Sequence, residues 1–129
     1  MKIRAAIIVV KDWKERAFLR AELIEEGVRT FAVERMGEAE EWLADPEMLP
    51  IIIIYDTNNQ DSPSRDLMRL SELITHIPVL IITSFLEKGA SNLEELGFKH
   101  IIQRPIRIGD VVQYVKEIIE RDRSLIDHY

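Results

Sequence analysis

The chain has 129 residues, of which 47% are hydrophobic and 31% are charged, and this balance suits one compact domain with a single core. The formal net charge of −6 disfavours nucleic-acid binding, which requires a basic face to contact phosphates. The chain has no cysteine, so disulfide bonds and thiolate metal sites are excluded and a cytoplasmic setting fits. The apolar stretch near the N-terminus stops at Val10 and is too short to span a membrane.

Five segments have the composition of β-strands, in chain order residues 5–10, 30–33, 51–55, 79–82 and 100–103. Three of them (the first, third and fourth) are unbroken apolar runs rich in Ile and Val, which is typical of strands buried on both faces of a parallel sheet. We therefore expect the core to contain Val9, Ile52, Ile53, Ile54, Leu80 and Ile81.

Helical periodicity alternates with these strands at residues 13–26, 38–44, 64–75 and 108–121, and in a shorter segment around Leu93 and Leu96 that ends at Gly97. The fivefold alternation predicts right-handed βαβ crossovers. The predicted fold is α/β: a flavodoxin-like, doubly wound, five-stranded parallel sheet of order 2-1-3-4-5 with five helices. This domain would cover residues 1–121, and residues 122–129 would form a C-terminal tail or the start of a linker.

Polar side chains follow four of the predicted strands at the point where each strand ends. In open α/β sheets, sites form at the carboxyl ends of the strands. The residues at these ends are Lys11, Asp12, Asp56, Thr57, Asn58, Thr83, Ser84 and Arg104. The sequence therefore predicts that acidic, hydroxyl and cationic side chains from four separate segments converge at one edge of the sheet.

Two enzyme classes are disfavoured by missing motifs. The chain has no glycine-rich phosphate loop after the first strand, which counts against dinucleotide binding. Its serines lack the nucleophile-elbow pattern of hydrolases, and its three histidines lack metal-ligand spacing. We do not expect an enzyme, although a small flavodoxin-like ligand-binding or enzymatic domain remains an alternative.

Four segments together resemble the receiver domain of two-component response regulators: AAIIVVKDW, PIIIIYDTNN, IPVLIITS and IIQRP. The resemblance covers nearly the whole chain. It implies a phosphorelay signalling domain in which Asp56 is the phosphoacceptor, while Thr83 and Arg104 contact the phosphoryl group. It also implies a cis peptide bond between Arg104 and Pro105.

The resemblance further implies a Mg²⁺ site made by Asp12, Asp56 and the backbone carbonyl of Asn58. The sequence departs from the family pattern here, because Lys11 replaces a second acidic residue and Arg104 replaces a lysine. We expect the Lys11 ammonium to lie within salt-bridge range of Asp56 or Asp12, in the volume where receivers hold Mg²⁺. Such a cation would lower the pKa of Asp56 and repel the metal, which predicts an atypical receiver with a degenerate acidic pocket.

Two signalling hypotheses follow from the resemblance. In the first, the domain acts mainly through protein–protein interaction with little or no phosphorylation. In the second, it is a competent receiver that a histidine kinase phosphorylates on Asp56. The implied partner is a histidine kinase, another signalling protein or a second copy in a homodimer. We expect this domain to bind neither nucleic acid nor a membrane. The implied contact face combines the fourth helix, strand five and the last helix, with Ile101, Arg107 and Tyr114.

Overall fold

The computed structural model describes residues 2–84 and 92–127, with side chains described up to residue 122. The elements in chain order are β1 (Ile3–Val9), α1 (Trp13–Glu25), β2 (Thr30–Val33), α2 (Met36–Leu43), β3 (Met48–Asp56), α3 (Pro63–Ser71), β4 (Val79–Thr83), β5 (His100–Gln103) and α4 (Ile108–Asp127). All five predicted strands are present, so the predicted strand pattern is confirmed.

The five strands form one parallel sheet of order β2-β1-β3-β4-β5, as predicted. The central strand β3 pairs with β1 on one side and β4 on the other, with Tyr55 opposite Val9 and Asp56 opposite Ile82. Because parallel strands all run the same way, their carboxyl ends meet at one edge of the sheet. The polar residues that follow the strands are therefore brought to this edge.

The strands are buried on both faces because a helical layer covers each side. Ile8, Ile52 and Ile54 pack in the cluster that includes α1 and α4, whereas Ile7 and Ile53 pack in the cluster that includes α2 and α3. All six predicted core residues are completely buried. Full burial of an isoleucine side chain stabilises the fold by about 1.5–3 kcal/mol, so the unbroken strands dominate the core.

Both ends of α1 have a recognisable local cause. The Asp12 carboxylate accepts hydrogen bonds from the backbone N–H groups of Lys14 and Glu15, which caps the helix start. At the other end, Gly27 has a left-handed φ of 87°, and the Val28 N–H returns to the Leu23 carbonyl. This is a Schellman ending, in which a glycine in the left-handed conformation ends the helix.

The structure differs from the predicted helices in several places: α2 begins at Met36, before residue 38, and α3 ends at Ser71, before residue 75. It describes four helices, not five, because residues 93–97 form a turn that ends at Gly97, whose φ is 98°. Residues 85–91 of that predicted region lie outside the described residues. The last helix, α4, continues to Asp127, beyond its predicted end at residue 121. No helix in the described ranges is long and apolar enough to cross a membrane.

Candidate functional site

Asp56 is the last residue of β3, and its side chain is only 1% exposed. Both carboxylate oxygens accept hydrogen bonds. Oδ1 accepts from the Asn58 backbone N–H at 3.1 Å, and Oδ2 accepts from Nη2 of Arg104 at 2.6 Å. The rigid central strand therefore delivers a buried carboxylate to the carboxyl edge of the sheet, where an arginine neutralises it.

Arg104 directly follows β5, and its backbone N–H donates to the Thr83 carbonyl at 2.9 Å. The peptide bond between Arg104 and Pro105 is cis, as predicted. The guanidinium also binds Glu15 through two hydrogen bonds, from Nη1 to Oε2 at 2.8 Å and from Nη2 to Oε1 at 2.6 Å. This paired geometry suits the planar fork of an arginine and is not available to a lysine.

Glu15 belongs to the site, and the sequence analysis missed it. It lies in the first turn of α1, three residues after the N-cap Asp12. That spacing matches a capping box, in which the glutamate normally folds back to the N-cap N–H. Here the Glu15 carboxylate turns towards Arg104 instead. An acid in the first turn of the helix after β1, beside the strand ends, was the available signal.

Two carboxylates therefore share one guanidinium at this edge. Burial raises the pKa of Asp56 above its ordinary value of 3.8. The hydrogen bond from the Asn58 N–H and the hydrogen bond and charge of Arg104 oppose this rise in the pKa, whereas the Glu15 charge adds to it. The hydrogen bonds to Glu15 and Asp56 raise the pKa of Arg104, which therefore remains a cation.

Lys11 does not occupy the predicted position. Its Nζ lies 3.4 Å from Oε1 of Glu34, so the predicted salt bridge with Asp56 or Asp12 is wrong. Glu34 follows β2, which flanks β1 on the side away from β3. The expected lowering of the Asp56 pKa by Lys11 is also wrong, because burial raises that pKa.

The other predicted site residues have local structural partners. The Asp12 side chain caps α1 through two hydrogen bonds of 2.9 Å, although it stands at the same edge of the sheet. Thr83 is buried at the end of β4, with its hydroxyl 3.1 Å from that of Thr57. The loop after Asp56 turns at Asn59, whose φ of 62° is one that asparagine tolerates better than most residues. The edge therefore brings Asp56, Thr83 and Arg104 together, as predicted.

The arrangement does not fit a Mg²⁺ ion. Magnesium takes oxygen ligands in near-octahedral geometry and is usually held by one or two carboxylates with phosphate and water. Within the described ranges, no group of three or more acidic or histidine side chains is placed to hold a metal ion. Asp12 caps a helix, and both Asp56 and Glu15 are bound to the Arg104 guanidinium. The cation that balances the acids here is an arginine.

The residues of the predicted contact face lie around the edge strand β5. Ile101 on β5 packs against the cluster that includes α2 and α3, and Tyr114 on α4 packs against the cluster that includes α1 and α4. The Tyr114 ring meets the His100 ring edge-on at 5.8 Å, and Arg107 is exposed just before α4. Part of the segment predicted as the fourth helix lies outside the described residues.

No protein-family model and no curated protein sequence matches this chain. Solved structures do match. The chain is similar to a response regulator receiver domain from Clostridium thermocellum, with 14% identity, a TM-score of 0.79 and coverage of 95% of this chain and 99% of that one. The corresponding values for a receiver domain from Methanospirillum hungatei are 16%, 0.78, 96% and 98%. For a signal receiver domain from Vibrio parahaemolyticus they are 20%, 0.75, 98% and 96%. The chain therefore has the fold of response-regulator receiver domains.

Proposed function

We propose that this receiver-fold chain is a signalling domain of a two-component system that acts mainly through protein–protein contacts, with little or no phosphorylation. One observation carries the proposal. Nη2 of Arg104 donates to the carboxylates of both Asp56 and Glu15, each at 2.6 Å. The buried carboxylate at the phosphoacceptor position is thereby held in a partly buried ion pair.

Phosphoryl transfer to Asp56 requires a carboxylate oxygen that the phosphorus can approach in line, and a cation that neutralises the transferred group. In this site, Oδ2 is covered by the Arg104 guanidinium and Oδ1 accepts the Asn58 N–H. Arg104 would have to leave Asp56 while Glu15 still holds it through two charge-assisted hydrogen bonds. We therefore expect phosphorylation to be slow or absent.

The partner is a histidine kinase or another signalling protein in the cytoplasm. We assign its contact to the surface around β5, where Ile101, Arg107 and Tyr114 offer apolar, cationic and aromatic groups. Tyrosine and arginine are favoured at the energetic centres of protein interfaces. A net charge of −6 disfavours nucleic acid as a partner of this domain.

The test is to incubate the chain with a small phosphodonor and Mg²⁺ and to measure its intact mass. The positive control is a receiver domain that has two acidic residues after its first strand. The variant Asp56→Asn identifies the modified residue. We expect no phosphoryl adduct on the unaltered chain. The alternative function, a competent phosphoacceptor, draws support from the burial of Asp56 at the end of β3, next to the end of β4, where Thr83 lies. An adduct that forms on the unaltered chain and disappears in Asp56→Asn would establish that alternative and overturn the proposal.

A further inference from the structure

Helix α1 presents an apolar face to solvent. In the described part of the chain, five large hydrophobic side chains are exposed, and three of them lie on α1: Trp13 at 65%, Phe18 at 63% and Ile24 at 43%. The exposed alanines Ala17 and Ala21 lie between them. We call these five residues the α1 face. Exposed apolar side chains that cluster on one element mark an interaction surface more often than isolated ones do.

The exposed residues of α1 are arranged so that this helix can pack against the same helix of a second copy of the chain. At 3.6 residues per turn, Ala17 and Ala21 form the centre line of the exposed side of the helix. Trp13 and Ile24 lie on one flank of that line, near opposite ends of the helix. Lys14 and Glu25 lie on the other flank, again near opposite ends.

We propose that two copies of this chain associate through the α1 face in an antiparallel, two-fold symmetric pair. In such a pair, each flank of one helix contacts the same flank of the other helix. Because the two helices run in opposite directions, the start of one flank lies beside the end of the other. Trp13 of one copy then meets Ile24 of the other, and Ala17 meets Ala21. The small alanine side chains let the two helices approach closely at the crossing point.

Charge complementarity favours a second copy over an unrelated partner. The same reversal places Lys14 of one copy beside Glu25 of the other, and the contact is made twice. Both side chains are exposed, and within the described residues neither forms a salt bridge. By contrast Glu26, the next acid, already binds Lys116 of α4 at 2.9 Å. Three other charged residues of α1 also form no salt bridge within the described residues, but they lie farther round the helix from the line of Ala17 and Ala21: Arg16, Arg20 and Glu22. Lys14 and Glu25 are therefore the charges nearest the proposed contact, and Lys14 Nζ also lies 5.6 Å from the centroid of the Trp13 ring.

The contact is small, so the dimer should be weak. A helix of 13 residues is about 20 Å long, which places its contact near the lower limit of specific interfaces, about 1,200 Å² in total. We therefore expect a monomer–dimer equilibrium that depends on concentration. This inference is independent of the phosphorylation state of Asp56 and leaves the surface around β5 free for another protein.

Sedimentation velocity of the full chain over a wide concentration range tests the proposal. The unaltered chain should show the dimer, and Ala17→Arg at the crossing point should weaken it by more than about tenfold. Met68→Arg is the matched control, because Met68 is similarly exposed, at 56%, but lies on α3. Its dimer should be unchanged. Circular dichroism checks that each variant is folded.

A charge swap tests the antiparallel geometry. Lys14→Glu and Glu25→Lys should each weaken the dimer, and the double variant Lys14→Glu/Glu25→Lys should restore it, because the reversed charges again face each other. A purely monomeric chain at every concentration overturns the proposal. So does a dimer that survives Ala17→Arg, or a double variant that stays as weak as the single ones.

Discussion

The guanidinium of Arg104 lies 2.6 Å from the carboxylate of Asp56, although Arg104 follows β5 and Asp56 ends β3, and β4 lies between these two strands. The side chain of Arg104 crosses the end of β4, where its backbone N–H binds the Thr83 carbonyl. The pair therefore ties three strand ends together. Since Asp56 is almost fully buried, the ion pair stabilises a charge that water cannot reach.

Replacing Arg104 with methionine should destabilise the fold at neutral pH. The change keeps much of the side-chain volume but leaves the Asp56 carboxylate buried without its cation. We expect the free energy of unfolding to fall by about 3 kcal/mol, measured by urea denaturation. Arg104→Lys is the control, because a lysine keeps the positive charge. The free energy of unfolding of this variant should fall clearly less. Equal losses in both variants would show that packing of the arginine, and not its charge, is what matters.

The stability of the fold should depend on pH through Asp56. Burial raises the pKa of this carboxyl above 3.8, so the folded chain binds the proton more tightly than the unfolded chain does. The group therefore contributes stability in acid, and this contribution is lost as the pH rises through the pKa of the folded state. The variant Asp56→Asn has no such titration.

Urea denaturation of both proteins at a series of pH values measures this effect. We expect the stability of Asp56→Asn, relative to the unaltered chain, to increase as the pH rises from 3.8 towards neutrality and then to level off. A relative stability that instead decreases as the pH rises towards 3.8, and stays level above it, would mean that the ion pair with Arg104 lowers the pKa of Asp56 below its ordinary value.

Glu15 should hold the arginine in place. Replacing it with glutamine keeps the shape but removes the charge and weakens the paired hydrogen bonds to Arg104. Because the Glu15 side chain is 31% exposed, solvent screens the interaction, and we expect a loss of about 1 kcal/mol in the free energy of unfolding. Glu26→Gln removes the exposed salt bridge to Lys116 and serves as the control, with a loss of less than about 0.5 kcal/mol. Indistinguishable losses would mean that Glu15 is only a surface partner.

The fold was predictable because the apolar runs that are clearest in the sequence also contribute most of the burial free energy in the structure. An unbroken apolar run such as residues 51–55 is removed from water only in a strand that is covered on both faces. This requirement predicts a central position in the sheet, and β3 has that position. The predicted meeting of Asp56, Thr83 and Arg104 followed from the parallel direction of the strands.

Side-chain directions were harder to predict, because they depend on contacts between loops. Lys11 was expected beside Asp56 or Asp12, yet the predicted strand order itself put β2 next to β1 and so placed Glu34 within reach of Lys11. Asp12 was assigned to metal binding, while the backbone N–H groups that open α1 offer its carboxylate a closer partner. The sequence analysis did not identify Glu15, because an acid in the first turn of a helix usually stabilises the start of that helix.

Magnesium binding should depend on Arg104 more than on Lys11. Lys11→Asp alone restores an acidic residue after β1, but the Asp56 carboxylate stays bound to the guanidinium at 2.6 Å. The double variant Lys11→Asp/Arg104→Lys also removes the fork that holds Asp56 and Glu15 together. We expect the double variant to bind Mg²⁺ at least about tenfold more tightly than either the unaltered chain or Lys11→Asp, a difference of about 1.4 kcal/mol.

Tryptophan fluorescence during a Mg²⁺ titration reports on this site, because Trp13 directly follows Asp12 and is 65% exposed. Adding Asp56→Asn to the double variant is the control, and it should abolish the gain in Mg²⁺ affinity, since the metal would lose its central carboxylate. If Lys11→Asp alone binds Mg²⁺ as tightly as the double variant, the ammonium of Lys11 and not the guanidinium of Arg104 keeps the metal out. Tight binding by the unaltered chain would instead mean that Arg104 gives way to the ion, and the ion pair with Asp56 would then be a displaceable contact.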